Sequence, residues 1–231
     1  MIQVVGRLAF GRFGGPGFNT TCPFPTAGPV ARMVRCEKEP AVIVVLDEAQ
    51  AQADVAGLAL RCPGCSGQLR RWGFARTRSL RSSGGGRVSL RPRRVRCAGC
   101  RITHVLLPAR APARRGYVID VVGQALLACA FGQSHRTIGA DLGVPADTVR
   151  GWIRRVRARA EWLRVQGTIT AHNYDPMLPA IVPAGSPLAD AVSALGTAAA
   201  AMVRRISLLA PPWQVIAMIA RGQLLAPLRS G

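Results

Sequence analysis

The sequence predicts an α+β protein in which a small β unit is followed by a mostly helical region. Three observations lead to this fold class. Two Cys-x-x-Cys pairs bracket two β-like segments, the longer amphipathic helical patterns follow residue 116, and Pro- and Gly-rich stretches separate the blocks. The 231 residues and a hydrophobic content of 49% are compatible with two small domains that have packed cores, rather than a disordered chain.

Composition and pattern divide the chain into successive blocks. We expect an irregular or disordered leader at 1–40, a strand and a helix at 41–60, a β ribbon at 61–107, a three-helix unit at 117–166, a linker at 167–187 and C-terminal helices at 188–231. Glycine and proline interrupt the leader, and Met33 is an alternative start of the natural protein. The sequence shows neither the long uncharged apolar run of a membrane span nor the apolar core of a signal peptide.

The charge of the chain favours a polyanionic partner. Basic residues number 31 against 11 acidic ones, which gives a net charge of +20, and Lys38 is the only lysine. The codon bias of a GC-rich genome can explain why arginine replaces lysine. It does not explain why residues 55–119 contain no Asp or Glu while Arg61–Arg115 contains fifteen arginines. This asymmetry favours a nucleic acid as partner over an incidental basic surface.

The cysteine spacing predicts a metal site. Cys62 and Cys65 form one Cys-x-x-Cys pair and Cys97 and Cys100 form another, a spacing that suits the tetrahedral shell of zinc. Between the pairs, residues 68–76 and 87–96 are predicted strands, and the Ser- and Gly-rich residues 82–86 join them. This is the layout of a zinc ribbon. We expect a structural Zn²⁺, because four thiolates leave no coordination position for water, and we expect the glycine before each second cysteine to supply the bend.

The other cysteines and a nearby histidine are predicted to lie outside this site. Cys22 and Cys36 are expected to be free thiols, with a second metal site as the alternative, because their separation matches no common metal-binding pair. Cys129 falls in the apolar stripe of a predicted helix at 117–131 and is expected in the core. His104 is expected to be a polar residue on a strand at 102–107 rather than a ligand.

Helical patterns at 117–131, 134–142 and 146–163 predict a helix-turn-helix. Gly143 begins a short turn between the second and third helices, and Gly139 is small where these helices must approach closely. The third helix has one apolar face and one arginine face. A basic surface helix in an ordinary bundle is the alternative interpretation.

The third helix is predicted to enter the major groove of double-stranded DNA. Asp147 either accepts a hydrogen bond from a cytosine amino group or caps the helix, and the ribbon arginines are expected at phosphates or in an adjacent groove. The C-terminal helices either mediate a homodimer or pack on their own domain. The predicted DNA contacts are Ala146, Asp147, Thr148, Arg150, Arg154 and Arg157 on the helix and Arg91, Arg93, Arg94 and Arg96 on the ribbon.

Several segments resemble a known family. Arg-Cys-Pro-Gly-Cys at 61–65, Arg-Val-Arg-Cys-Ala-Gly-Cys at 94–100, Thr-His-Val-Leu-Leu-Pro at 103–108 and the run 136–155 resemble small zinc-ribbon proteins of unassigned function from GC-rich bacteria. The order of ribbon and helix-turn-helix is also similar to the N-terminal DNA-binding part of insertion-sequence transposases. The resemblance covers about residues 41–225 and implies DNA binding, zinc and descent from a mobile element.

These observations predict a non-enzymatic, zinc-containing DNA-binding protein in the bacterial cytoplasm, associated with the nucleoid. It would be a transcriptional regulator or a binder derived from a mobile element. The alternatives are a non-catalytic remnant or accessory subunit of a transposase and a nonspecific nucleic-acid-binding module. A catalytic transposase is disfavoured because its core needs three spaced carboxylates, whereas Asp175 and Asp190 are the only acids beyond the end of the third helix.

Overall fold

The computed structural model describes residues 42–113 and 115–226. The predictions for the leader and for Cys22 and Cys36 therefore lie outside the described residues. Within those ranges the chain is a mixed α+β protein with six strands and seven α-helices. None of the helices in the described part is long and apolar enough to cross a bilayer.

The six strands form two sheets. The larger sheet has the order β1-β6-β5-β2, in which β1 and β6 are parallel and the other neighbours are antiparallel. The smaller sheet is the antiparallel hairpin β3-β4. The strand bounds are β1 Val42–Val45, β2 Leu69–Phe74, β3 Arg78–Arg81, β4 Arg87–Leu90, β5 Arg93–Cys97 and β6 Thr103–Pro108.

Helix α1 (Glu48–Ala56) packs on the larger sheet. It begins at Asp47, whose carboxylate accepts from the backbone N–H groups of Ala49 and Gln50 at 2.8 and 3.0 Å and so satisfies two helix-end donors. We call this sheet, α1 and the two cysteine loops the cysteine unit. Its core is small and includes two cysteines; the buried members are Val45, Ala51, Val55, Leu60, Cys62, Leu69, Val95, Cys97 and Leu106.

The structure divides the segments between the cysteine pairs differently from the sequence prediction. The strand predicted at 87–96 is broken into β4 and β5, the strand predicted at 68–76 contains β2 alone, and β3 was not predicted. A bulge separates Arg71 from Phe74 in β2, where Gly73 has a φ of +90°. Opposite the break, Pro92 has no N–H for a ladder bond, and its carbonyl accepts from Ala75 N at 2.8 Å. Together, β2 to β5 form one long hairpin. Its half nearer the cysteines, β2 and β5, therefore belongs to the cysteine unit. Its tip, β3 and β4, packs outside that unit.

The helices after residue 116 form a second and larger core. We call this part, residues 115–226, the helical unit. Leu80 and Leu90 of the β3-β4 hairpin are buried in its core, so the hairpin joins the two units. The helix bounds are α2 Ile119–Ala130, α3 His135–Leu142, α4 Ala146–Arg157, α5 Ala160–Tyr174, α6 Pro187–Ile206 and α7 Pro212–Ile219.

Helix α5 differs from the sequence prediction. The third helix was expected to continue to about residue 163 and to be followed by a linker at 167–187. Instead α4 ends at Arg157, and α5 runs through Tyr174, well into the predicted linker. The reason is tertiary packing, because α5 lies against α6 so closely that a Cβ on Gly167 would be 2.7 Å from the carbonyl carbon of Ala194.

Helix α6 uses its apolar stripe inside its own chain. Ser186 caps its first turn by accepting from Ala189 N at 3.2 Å. Leu188, Leu195 and Met202, spaced by seven residues, are all buried in the core of the helical unit. Of the two interpretations of this stripe, packing on its own domain therefore accounts for it.

Candidate metal centre and nucleic-acid interface

Four cysteine sulfurs converge at one end of the larger sheet. Cys97 ends β5, Cys62 and Cys65 lie on the loop before β2, and Cys100 lies on the loop between β5 and β6. The four sulfurs all lie within 4.8 Å of one another, so the group can hold a metal ion. The sequence predicted these four residues, and the fold brings them together.

The two cysteine loops have the same backbone shape. The amide of Cys62 donates to the carbonyl of Gly67 at 2.8 Å, and the amide of Cys97 donates to the carbonyl of Ile102 at 2.9 Å, five residues on in each case. The residue after each second cysteine has a positive φ, 56° at Ser66 and 65° at Arg101. The glycine before each second cysteine, Gly64 or Gly99, lies within the turn, as expected, and the left-handed residue follows two positions later.

The spacing of the sulfurs fits a tetrahedral ion. Cys62 Sγ lies 3.7 Å from Cys100 Sγ, and Cys65 Sγ lies 3.4 Å from Cys97 Sγ. A zinc ion with Zn–S bonds of about 2.3 Å has tetrahedron edges of about 3.8 Å, close to both distances. Gly67 leaves room for this arrangement, since a Cβ there would be 2.9 Å from Cys97 Sγ and 3.3 Å from Cys65 Sγ.

The thiols of the site differ in their readiness to ionise. Burial raises the pKa of Cys62 to about 12, and burial also raises the pKa of Cys100. The backbone N–H of Gly67 is the main cause that lowers the pKa of Cys65 to about 6. A cation at the centre would favour all the thiolates, so the buried thiols would lose their protons on metal binding.

A buried histidine lies against this site. His104 on β6 is fully buried, and its Nε2 is 3.4 Å from the sulfur of Cys62. If a metal made Cys62 a thiolate, a His104 imidazole with its proton on Nε2 would donate to that sulfur, an outer-shell contact of the kind that orients and stabilises a ligand. The sequence placed His104 on a strand but missed this contact, because the antiparallel register of β5 and β6 creates it. Cys129 packs on the helical core, away from the site.

Helices α3 and α4 are joined by a tight three-residue turn. Gly143 ends α3 in the left-handed conformation, with φ 62° and ψ 34°. The amide of Val144 donates back to the carbonyl of Gly139 at 2.9 Å. A Cβ on Gly139 would be 2.8 Å from the carbonyl oxygen of Val144 and 3.2 Å from Cα of Ala146, so the two helices approach as the sequence led us to expect.

Helix α4 has two chemically different faces. Val149, Trp152 and Val156 are buried in the core, whereas Arg150 and Arg154 are exposed. The rings of Trp152 and Tyr117 meet edge to face, with centroids 5.3 Å apart, which fixes α4 against the start of α2. The burial pattern therefore leaves an arginine stripe toward solvent.

The other predicted contacts of α4 are also accessible. Ala146 and Thr148 are half-buried, and Asp147 is exposed in the first turn. The residue at the N-cap is Pro145, without a side-chain cap bond, so Asp147 does not cap the helix in the predicted way. Its carboxylate instead lies near the positive end of the helix dipole. Arg157 is exposed, and its guanidinium is 3.9 Å from Cys129 Sγ.

The predicted ribbon arginines lie on or beside β5. Arg94 and Arg96 are on one face, opposite Val105 and Thr103 of β6, and both are half-buried. Arg93 donates to Gln52 of α1 at 3.2 Å. Arg91 is exposed in the turn between β4 and β5. The four arginines thus surround the near half of the hairpin rather than lining one face.

Two aromatic side chains beside these arginines were not predicted as functional. Trp72 and Phe74 on β2 are 50% and 45% exposed, respectively, although large aromatic residues are usually buried. The guanidinium carbon of Arg96 is 4.5 Å from the Trp72 ring centroid, and that of Arg93 is 4.5 Å from the Phe74 centroid. Both rings lie in the strand predicted at 68–76, and their exposure was not predicted because the bulge that exposes them has no clear sequence signal.

A family comparison covers both parts of the candidate site. Residues 62–152 match a family model described as a domain of unknown function, DUF6431. The matched segment begins at Cys62, includes both cysteine pairs and ends at Trp152 in α4. No curated protein and no solved structure matches the chain.

Proposed function

We propose that this chain is a zinc-containing protein that binds double-stranded DNA by placing α4 in the major groove, as a helix-turn-helix. The two-faced character of α4 carries the proposal. Helix α4 buries Val149, Trp152 and Val156 in the core. Arg150 and Arg154 must therefore face outward, and the tight turn at Gly143 joins α4 to α3. Arginine in the major groove can donate two hydrogen bonds to guanine or bind phosphate.

The ion pairs of the protein leave this arginine face uncompensated. In the part of the chain that the structure describes, the salt bridges are Arg110–Glu48, Arg164–Glu161 and Arg204–Asp175. None of these engages the exposed arginines of α4. A cationic stripe that these ion pairs leave unengaged favours an anionic partner, and the cysteine unit adds further arginines.

Zinc is the metal that best suits the four cysteines in this proposal. Thiolates in a Cys₄ shell select soft or borderline cations, and the sulfur spacing suits a tetrahedron. The complete shell makes the role structural. The core of the cysteine unit is small, so the ion would supply much of its folding free energy. A non-enzymatic role accords with this closed shell.

Selection from a random duplex library tests the proposal. Purified zinc-loaded protein is compared at about 150 mM salt with the double variant Arg150→Ala, Arg154→Ala. We expect one enriched motif for the wild type and its loss in the variant, since each bidentate contact contributes about 1–3 kcal/mol of discrimination. The control Arg204→Ala, Arg205→Ala removes the same charge from exposed positions of α6.

The outcomes separate specific from nonspecific binding. Enrichment that survives in the α4 variant would refute the placement of α4. Binding without enrichment that both double variants weaken equally would indicate phosphate affinity alone, as in a nonspecific nucleic-acid-binding module. Dimerisation through the C-terminal helices stays a prediction, and any dimer surface must differ from the buried stripe of α6.

A further inference from the structure

We infer that the exposed edge of the cysteine unit is a second nucleic-acid site, which stacks unpaired DNA bases on Trp72 and Phe74. It uses different residues from α4 and goes beyond the proposed duplex binding. Strand β2 is an edge of the larger sheet, and every residue from Arg70 to Phe74 is exposed. Two aromatic rings thus lie at the surface of the most acid-free part of the chain.

The bulge in β2 sets the positions of the two rings. Arg71 pairs with Val95 and Phe74 pairs with Arg93, so β2 carries one more residue than β5 between these pairs. As a result Trp72 lies beside Arg96 and Phe74 lies beside Arg93. These two arginines are three residues apart and so lie on opposite faces of β5. The rings therefore flank the sheet edge, where a flexible single strand can follow them.

Each ring is already paired with guanidinium groups. Arg96 lies 4.5 Å from the Trp72 centroid, while Arg93 and Arg91 lie 4.5 and 5.0 Å from the Phe74 centroid. These cation–π contacts hold the rings in place and set a positive charge beside each one. A ring for the base and a cation for the phosphate are the two elements of single-strand recognition.

The surroundings favour nucleic acid over a protein partner. The exposed neighbours of the rings are Arg70, Arg71 and Arg76, and residues 55–119 contain no Asp or Glu, so this edge favours a polyanion. The bases must also be unpaired, because the faces of bases within a duplex are already stacked on one another. A duplex can meet the arginines of this edge but cannot stack on its rings.

The experiment distinguishes the contribution of the aromatic rings to single-strand binding from that of the neighbouring positive charge. The probe is a fluorescent oligothymidine of about 15 nucleotides, within the site size of small single-strand-binding folds. Trp72→Leu and Phe74→Leu remove the rings, while Trp72→Phe and Phe74→Tyr keep an aromatic ring. We expect each Leu variant to lose about 5- to 150-fold in affinity for the probe, the range for one stacked base, and the ring-keeping variants to lose little.

Tryptophan fluorescence gives a second readout. A base stacked on Trp72 should quench its emission, and this quench should disappear in Trp72→Phe although binding persists. Exposed Phe131 of the helical unit supplies the matched control, and Phe131→Leu should leave probe binding unchanged. Zinc content and thermal unfolding of every variant establish that the fold is intact.

Three results would overturn the inference. The Leu variants could bind the probe as the wild type does, they could lose duplex and probe binding equally, or they could reveal a ring-dependent preference for RNA of the same length. Failure of the α4 proposal is distinguishable, because it appears in duplex selection with Arg150→Ala, Arg154→Ala and leaves the oligothymidine assay unaffected.

Discussion

The contact between α3 and α4 can be tested by adding one methyl group. In Gly139→Ala, the new Cβ would lie 2.8 Å from the carbonyl oxygen of Val144 and 3.2 Å from Cα of Ala146. Both are backbone atoms, so no side chain can rotate away, and the turn must shift by several tenths of an ångström. Such overpacking costs about 1–3 kcal/mol.

A second helical glycine serves as a control that distinguishes the steric cost of the added methyl group from the gain in helix propensity. Gly196 on α6 is exposed, and a Cβ there meets nothing within 4 Å. Gly196→Ala should therefore show the propensity gain alone, about 0.8–1.0 kcal/mol of added stability. Gly139→Ala should combine that gain with the steric cost, giving a net change between about zero and a 2 kcal/mol loss.

Thermal unfolding of the zinc-loaded protein measures both variants. For a chain of this size 1 kcal/mol corresponds to about 2–4 °C, so Gly196→Ala should raise Tm by about 2–4 °C. Gly139→Ala should lower Tm by up to about 8 °C or leave it unchanged. If both variants raise Tm equally, the α3–α4 approach is looser than described, and the reasoning about the turn fails.

Three further predictions concern the metal and the core. Cys97→Ser should remove bound zinc while Cys129→Ser retains it, as measured by metal content after gel filtration; equal loss would contradict the site. Because burial raises the pKa of Cys62 to about 12, its thiol must release a proton to bind metal, so zinc affinity should rise with pH from about 6 to 8. Competition with a chelator across that range measures this, and a flat profile would argue against it. Trp152→Ala should destabilise the protein by about 3–5 kcal/mol in chemical denaturation, since its side chain is 3% exposed and touches Tyr117; a loss below 1 kcal/mol would show that α4 is not anchored by this residue.

Local sequence signals predicted the parts of the fold that depend on local chemistry. The spacing of Cys62, Cys65, Cys97 and Cys100 specified two short loops, and two such loops on one hairpin must converge. Gly143 marked the end of α3 because a left-handed residue is required there. The two-faced pattern of α4 followed from residue spacing alone.

Tertiary contacts decided what the sequence did not reveal. The continuation of α5 through Tyr174 depends on its packing against α6, a later segment of the chain. The amphipathic pattern of α5 is weak, so its second half was predicted to be a linker. The contact of His104 with Cys62 depends on the register of β5 and β6. The exposure of Trp72 depends on a bulge that displaces one residue of an edge strand. None of these has a signature within its own segment.

The division of one hairpin between two cores limits how this protein can be taken apart or recombined. A fragment that ended after β6 would contain all four clustered cysteines but would expose Leu80 and Leu90, which are buried against the helices. An isolated helical unit would lack these two leucines and would have a gap in its core where they pack. Neither half is therefore a freely exchangeable module, and the gain or loss of one half in evolution would require repacking at the hairpin tip.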